Sequence, residues 1–443
     1  MTIPARRTLL AAAVVIAAEL FAPCVVHAQD ATIHAGAYLD VQRGRLRAAA
    51  LISIEDGRIT GIEPAKNTDI PAEAIDLSGY TLLPGLIDVH THLCDNTHLG
   101  EEWDPWTLGA PAFGIIGVAN AKKVLLAGFT TVRNVSEPFF AGVALRDAVA
   151  EGLVPGPRIY ATGPMISMTG GHGDWGNWMG PQHDDTTPAE KIADGVDEVR
   201  KAARTHLKHG ADWLKVAATG GFASHGTIPG AASYTVEEIE AAVQEAANRG
   251  LYVAAHAHGA AGINNAVAAG VRSIEHAALL NQDSIELMKE HGVFLVADLL
   301  AAHYDLVATD KDWSEKGYAD GQTEYDSYAA RVVNAHSAGV KLAFGTDAGA
   351  SPHGRGAEQF GLMVAAGIAP ADAIRSATLV AAELLGIEND AGSIEIGKWA
   401  DLIAVKGDPL TDVTVLTDVE FVMKAGVIYK ASTRSPGHGQ SAE

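Results

Sequence analysis

Eight short apolar runs, each followed by a stretch of helical character, constrain the fold of this chain more than any other feature. The runs occupy residues 86–90, 130–134, 158–162, 213–217, 252–256, 273–276, 293–297 and 341–345. Several of the intervening stretches, such as 236–247 and 263–269, are Ala-rich and amphipathic. Short apolar strands alternating with such segments are the pattern of parallel strands joined by crossover helices. Eight repeats of that unit predict an α/β fold, a (β/α)8 TIM barrel, which takes about 250 residues. A chain of 443 residues has room for that barrel and a smaller element.

The flanking segments have a different texture. Residues 32–83 are β-rich, with an alternating stretch at 50–53 and the turn Asp56-Gly57-Arg58 before residues 59–62. The same character returns in 401–405 and 419–425, separated by Gly407-Asp408-Pro409. Two β-rich ends around a different middle predict one small β-sandwich built from both termini. We therefore divide the chain into a sandwich half at 29–84, a barrel at 85–390, the second half at 391–431 and a disordered polar tail at 432–443.

Residues 1–28 read as a signal peptide. Arg6 and Arg7 form a basic start, residues 9–21 are apolar except for Glu19, and Val26-His27-Ala28 is a small-residue cleavage site. Export to the periplasm or the medium is the expectation, by either the general or the twin-arginine route. The apolar run is too short to span a membrane. Removal of the segment takes Cys24 and leaves Cys94 as the one remaining cysteine, so no internal disulfide is expected. Cys94 follows a histidine pair by two residues, but a buried structural thiol is the preferred reading. The formal charge of −22 disfavours nucleic acid and anionic membrane surfaces as partners.

The polar residues fall at the ends of the runs. The first ends in His90-Thr91-His92, the fourth carries Lys215, the fifth ends at His256, the sixth at His276, and the eighth leads into Thr346-Asp347. In a barrel the carboxyl ends of the strands converge on one rim, where catalysis sits. Any one of these residues has an ordinary structural explanation, but their ordered placement at five strand ends points to a metal centre. Residues i and i+2 of a strand face the same way, so His90 and His92 are able to grip one ion. Imidazole and carboxylate donors suit zinc and related divalent ions. A protonated lysine is a poor ligand, whereas the carbamate formed from lysine and CO₂ is an anionic bridging one.

The chain from residue 32 to about 430 resembles the amidohydrolase superfamily. Gly85-Leu86-Ile87-Asp88-Val89-His90-Thr91-His92 and Gly345-Thr346-Asp347-Ala348-Gly349 match its two most recognisable motifs. Ala255-His256-Ala257-His258-Gly259 and Ser273-Ile274-Glu275-His276 are similar to the branch of imidazolonepropionase-like dipeptidases, prolidases and ochratoxin-hydrolysing amidases. The resemblance implies two divalent metal ions, zinc by preference. His90, His92 and Asp347 would hold one, His256 and His276 the second, with carboxylated Lys215 and a hydroxide bridging them. It implies that Asp347 takes the water's proton and passes it to the leaving amine. It also implies a homo-oligomer.

Further candidates surround that set. His172, in Thr169-Gly170-Gly171-His172-Gly173, either hydrogen-bonds the carbonyl oxygen as charge builds or packs its loop. His258 points with His256 if its strand continues, and would then assist or touch substrate. Trp175 and Trp178 would wall an apolar pocket or simply bury area. Tyr234, after a glycine-rich loop, is a candidate contact for a substrate carboxylate. The expected reaction is hydrolysis of the amide bond of a small molecule, a dipeptide or N-acyl amino acid. Cyclic-amide hydrolysis or deamination is the alternative. Lys215 argues against mononuclear deaminases, and a non-catalytic metal-binding protein would leave Asp347 without a proton to move.

Overall fold

A computed structural model of the chain describes residues 30–66, 70–95, 108–178, 191–222, 224–307 and 321–431. The expected signal peptide and the expected tail lie outside the described residues. Four strands come first: β1 (Ala31–Asp40), β2 (Arg45–Glu55), β3 (Arg58–Pro64) and β4 (Ile75–Pro84). Between β2 and β3 the backbone of Asp56 and Gly57 is left-handed, with φ of 49° and 74°. Two such residues give the tight hairpin whose twist matches that of its strands.

All eight apolar runs are strands. They are β5 (Leu86–Thr91), β6 (Phe129–Asn134), β7 (Arg158–Ala161), β8 (Trp213–Ala217), β9 (Tyr252–Gly259), β10 (Ser273–Leu279), β11 (Phe294–Ala297) and β12 (Leu342–Phe344). Every residue of β5, β6, β8, β11 and β12 is buried. Strands covered on both faces have no solvent side to carry polar residues, which is why they read as unbroken apolar runs. Helices separate successive strands, among them Ala110–Leu126 after β5, Val236–Ala247 after β8 and Gly321–Ser337 after β11.

The strands form two parallel sheets, β5-β6-β7 and β12-β11-β10-β9-β8. Single bridges join their margins. Ile166, beyond β7, pairs with Val216 of β8, and Thr91 of β5 pairs with Ala348 beyond β12. At the second margin His92 N donates to Ala348 O at 2.7 Å and Asp347 N to His90 O at 2.9 Å. These bonds set the His90 and His92 segment beside Asp347.

Three last strands, β13 (Leu402–Val405), β14 (Phe421–Lys424) and β15 (Val427–Ala431), join the first four in a seven-stranded sheet ordered β15-β14-β13-β4-β1-β2-β3. Strand β4 is the seam, pairing parallel with β1 and antiparallel with β13. One core serves both chain ends: Ile33, Ile52 and Leu82 pack with Leu402, Phe421 and Met423, each at most 1% exposed. No helix among the described residues is long and apolar enough to cross a membrane.

Candidate metal centre

The polar residues at the strand ends converge. His90, from β5, is buried, and its Nε2 lies 3.5 Å from Asp347 Oδ1. His92 Nε2 is 3.0 Å from the same oxygen. Two glycines of the Gly345–Gly349 segment make this approach possible. A Cβ on Gly345 or on Gly349 would stand 2.7 or 2.8 Å from the Cβ of His90 or His92, respectively. Gly349 is also left-handed, with φ of 131°.

His276, from β10, brings its ring centroid to 4.9 Å from that of His90. One ligand atom each from His90, His276 and Asp347 lies within 4.8 Å of the others. Two of these three hold left-handed backbone without being glycine: His276 at φ 72° and Asp347 at φ 51°. Such conformations cost on the order of 1–3 kcal/mol each and survive where surrounding structure imposes them. His256 stands 4.6 Å from His276 between ring centroids. Strand β9 continues through His258, so both its histidines reach the same space, 4.7 Å apart.

The electrostatics suit a cation. Burial pushes His90 down to about 4 and His172 to about 3, and holds His256 and His258 well below the ordinary imidazole range. These rings are therefore neutral near pH 7, the state that ligates metal. Burial alone would raise the Asp347 carboxyl, but His90, His92 and His276 hold it well below the usual carboxylate range. Burial lowers the Lys215 amine to about 8. Neutral imidazoles around an anionic carboxylate are the donor set of a divalent-ion site.

All eight of these side chains line one cavity of about 360 Å³. Apolar Met165, Phe222, Leu279 and Leu306 form part of its wall. His172 stacks on His256 with centroids 4.0 Å apart. Its Nδ1 is hydrogen-bonded to Ser224 Oγ, which leaves Nε2 for the cavity.

Tyr234 lies elsewhere. It is 3% exposed, is absent from the cavity lining, and its hydroxyl donates to Ala193 O at 2.7 Å. The expectation that it meets substrate finds no support in this placement, because its polar atom ties two loops that precede helices. The side chains of Trp175 and Trp178 lie outside the described residues. Cys94 is fully buried, does not line the cavity, and has its Sγ beside Gly117.

Four residues around the centre were not singled out from the sequence. Glu275 Oε2 accepts from His90 Nδ1 at 2.8 Å, and Glu275 Oε1 accepts from Arg133 Nη2 at 2.7 Å and Ser273 Oγ at 2.5 Å. Arg133 also donates to Val89 O at 2.7 Å and lies 4.7 Å over the Trp213 ring. Asp298 Oδ2 accepts from His276 Nδ1 at 2.9 Å, and its Oδ1 accepts from Tyr328 Oη at 2.7 Å. Carboxylates behind histidines fix tautomer and ring orientation, leaving the other nitrogen for a metal. Asp298 had a legible signal, since it follows the seventh run at the same rim.

Comparison with known proteins agrees with this geometry. Residues 81–429 match the model of the amidohydrolase family. Ochratoxinase of Aspergillus niger is 32% identical over 435 residues, covering 93% of this chain and 88% of that protein. A solved Xaa-Pro dipeptidase with methionine bound in its active site superposes with a TM-score of 0.83. It is 34% identical, and the match covers 91% of this chain and all of that one. A solved prolidase in complex with N-methylphosphonate-L-proline gives a TM-score of 0.79 at 33% identity, covering 91% of this chain and all of the other.

Proposed function

The chain belongs to the amidohydrolase family, and on that premise we propose that it is a binuclear metal-dependent hydrolase cleaving the amide bond of dipeptides or N-acyl amino acids. The observation that carries this reading is the meeting of His90, His276 and Asp347 ligand atoms within 4.8 Å, in a cavity that Lys215 also lines. We assign His90, His92 and Asp347 to one ion and His256 and His276 to the other, with carboxylated Lys215 between them.

Lys215 suits that role. With its amine lowered to about 8 by burial, a useful fraction is uncharged near neutral pH. The uncharged nitrogen adds to CO₂, loses a proton and becomes a carbamate anion. When bound, two divalent ions, zinc by donor type, supply Lewis acidity that polarises a carbonyl and acidifies water.

The chain's own residues do the rest. Asp347, held anionic, accepts the proton of the attacking water and returns it to the scissile nitrogen, which is too basic to leave without it. His172 Nε2 faces the cavity as a donor to the carbonyl oxygen as negative charge builds there. His258 contacts the substrate beside it. The proposal takes the two parallel sheets as one closed (β/α)8 barrel, joined at Ile166–Val216 and Thr91–Ala348, with the mixed sheet folded as a small sandwich. It also takes residues 1–28 as an export signal. Support for the substrate class comes from the similar dipeptidase that holds methionine in its active site, since an amino acid is what the proposed cleavage releases.

The test is metal analysis of the zinc-reconstituted protein alongside a panel of dipeptides, N-acyl amino acids and cyclic amides. About two ions per chain and turnover of open-chain amides are expected. Full activity with one ion per chain defeats the binuclear reading, and turnover confined to cyclic amides moves the site to the alternative reaction.

A further inference from the structure

We propose that Arg331 is the seat for the α-carboxylate of the substrate, so that the enzyme requires a free carboxyl group on the amino acid it releases. This rests on the proposed amide hydrolysis and deepens it.

Arg331 lies on the helix Gly321–Ser337 and lines the cavity that holds the histidine cluster. Its Nη1 donates to the backbone oxygen of Ala278 at 2.9 Å. That bond fixes the guanidinium at one point and leaves its other N–H groups, which have no hydrogen-bond acceptor among the described residues, for a ligand. One helical turn earlier, the Tyr328 hydroxyl donates to Asp298 Oδ1 at 2.7 Å, with His276 O 3.0 Å from the same hydroxyl oxygen. The same helix therefore braces the His276 pair and presents the cation.

The reach is right for an α-amino acid. Its carboxylate carbon is two bonds from the scissile nitrogen, so an anchor for it must stand close to the reacting carbonyl. Ala278 is two residues beyond His276, and two Cα steps span at most about 7.6 Å. Ala278, His276 and Arg331 all line the same cavity. Leu279, Ala301, Ala302 and Leu306 line the cavity with it, giving an apolar surface beside the cation. A carboxylate and an apolar side chain leave the same Cα of an amino acid, and the wall supplies a partner for each.

Lys191 is another cation that lines the cavity. Burial lowers it to about 7, with Asp174 and Asp95 nearby opposing that shift. It is thus only partly charged near neutral pH, whereas a guanidinium stays charged and presents a fork matched to a carboxylate.

The experiment compares L-phenylalanine, a product of the proposed cleavage, with L-phenylalaninamide as calorimetric ligands of the zinc-loaded protein, in wild type, Arg331→Met and Arg331→Lys. The matching dipeptide and dipeptide amide are run as substrates. Wild type is expected to prefer the acid at least about tenfold, the yield of one charge-assisted hydrogen bond. Arg331→Met should bring that ratio close to one, and Arg331→Lys should restore part of it. Melting curves identify a variant that has lost its fold, and the lysine variant then decides. An acid preference that persists in Arg331→Met puts the carboxylate elsewhere and overturns the proposal, as does the lack of any preference in wild type. Acid-selective binding that depends on Arg331 without any turnover defeats the amide-hydrolysis reading and leaves the carboxylate seat standing.

Discussion

Glu275 Oε2 lies 2.8 Å from Nδ1 of His90, with both side chains almost wholly removed from solvent. A carboxylate at that nitrogen fixes the proton there and turns the Nε2 lone pair toward Asp347. Glu275 is itself held ionised: burial works against the charge, but Arg133, Lys215 and His90 outweigh it.

Glu275→Gln keeps the shape and removes the charge. Loss of such a supporting carboxylate typically costs 10–100-fold in metal affinity or activity. It also leaves the Arg133 guanidinium buried without its counter-ion, a change that costs on the order of 3–5 kcal/mol in stability. Zinc competition with a chelator and denaturant unfolding measure the two losses separately. Unchanged zinc affinity in a folded Glu275→Gln protein would show that His90 needs no orienting partner.

Much of this centre was legible beforehand, for a definite reason. Strands buried on both faces admit few polar residues, so His90, His256 and His276 stand out at run ends and Lys215 within its run. Their partners were not legible. Glu275 precedes His276 by one residue, and simple alternation along a strand puts neighbours on opposite faces. The left-handed φ of 72° at His276 breaks that alternation, and nothing in a single sequence announces it. Arg133 reads as a stray charge in an apolar run until Glu275, 142 residues away, appears beside it. Tyr234, after a glycine-rich loop, reads as a contact for a substrate carboxylate, and its hydroxyl donates to Ala193 O.

Lys215→Ala tests the bridging anion. Activity should fall by orders of magnitude and zinc content by about half, because the proposed bridge would be a donor to both ions. Added acetate or propionate with zinc should restore part of each, since a small carboxylate fits the space that the lysine stem vacates. Full activity in the variant, measured beside metal content, would remove the bridge from the reading.

The seam between the chain ends carries its own pH dependence. Lys424 of β14 donates from Nζ to Gly156 O at 2.5 Å, and burial, aided by Arg158, lowers its amine to about 8. An unfolded lysine titrates at the model value of 10.5. Between those values the unfolded chain binds the proton more tightly than the folded one, so stability from this group rises with pH. The contribution is present above about 10.5 and is lost as pH falls through about 8. Denaturation midpoints of wild type and Lys424→Met, compared from pH 7 to 10.5, should show wild type gaining on the variant across that window. A constant difference would mean that the amine titrates normally in the fold.

Asp347 is asked to do two things, and one substitution pulls them apart. As the ligand we propose, it would contribute one oxygen to the cluster that His90, His92 and His276 form with it. As a proton carrier it must be ionised, and His90, His92 and His276 keep it so against the effect of burial. Asp347→Asn retains an oxygen and loses the basicity, so zinc should be partly retained while turnover falls by about 10²–10⁴, the range that general acid–base catalysis supplies. The signature is in the leaving group. If Asp347 returns the proton to the departing nitrogen, an anilide with a weakly basic leaving amine should lose less in Asp347→Asn than an alkyl amide does. Turnover of both substrates and bound zinc are the measurements. An equal loss on the two substrates, with zinc retained, would mean that a different group protonates the amine, with His258 in the same cavity the first to examine.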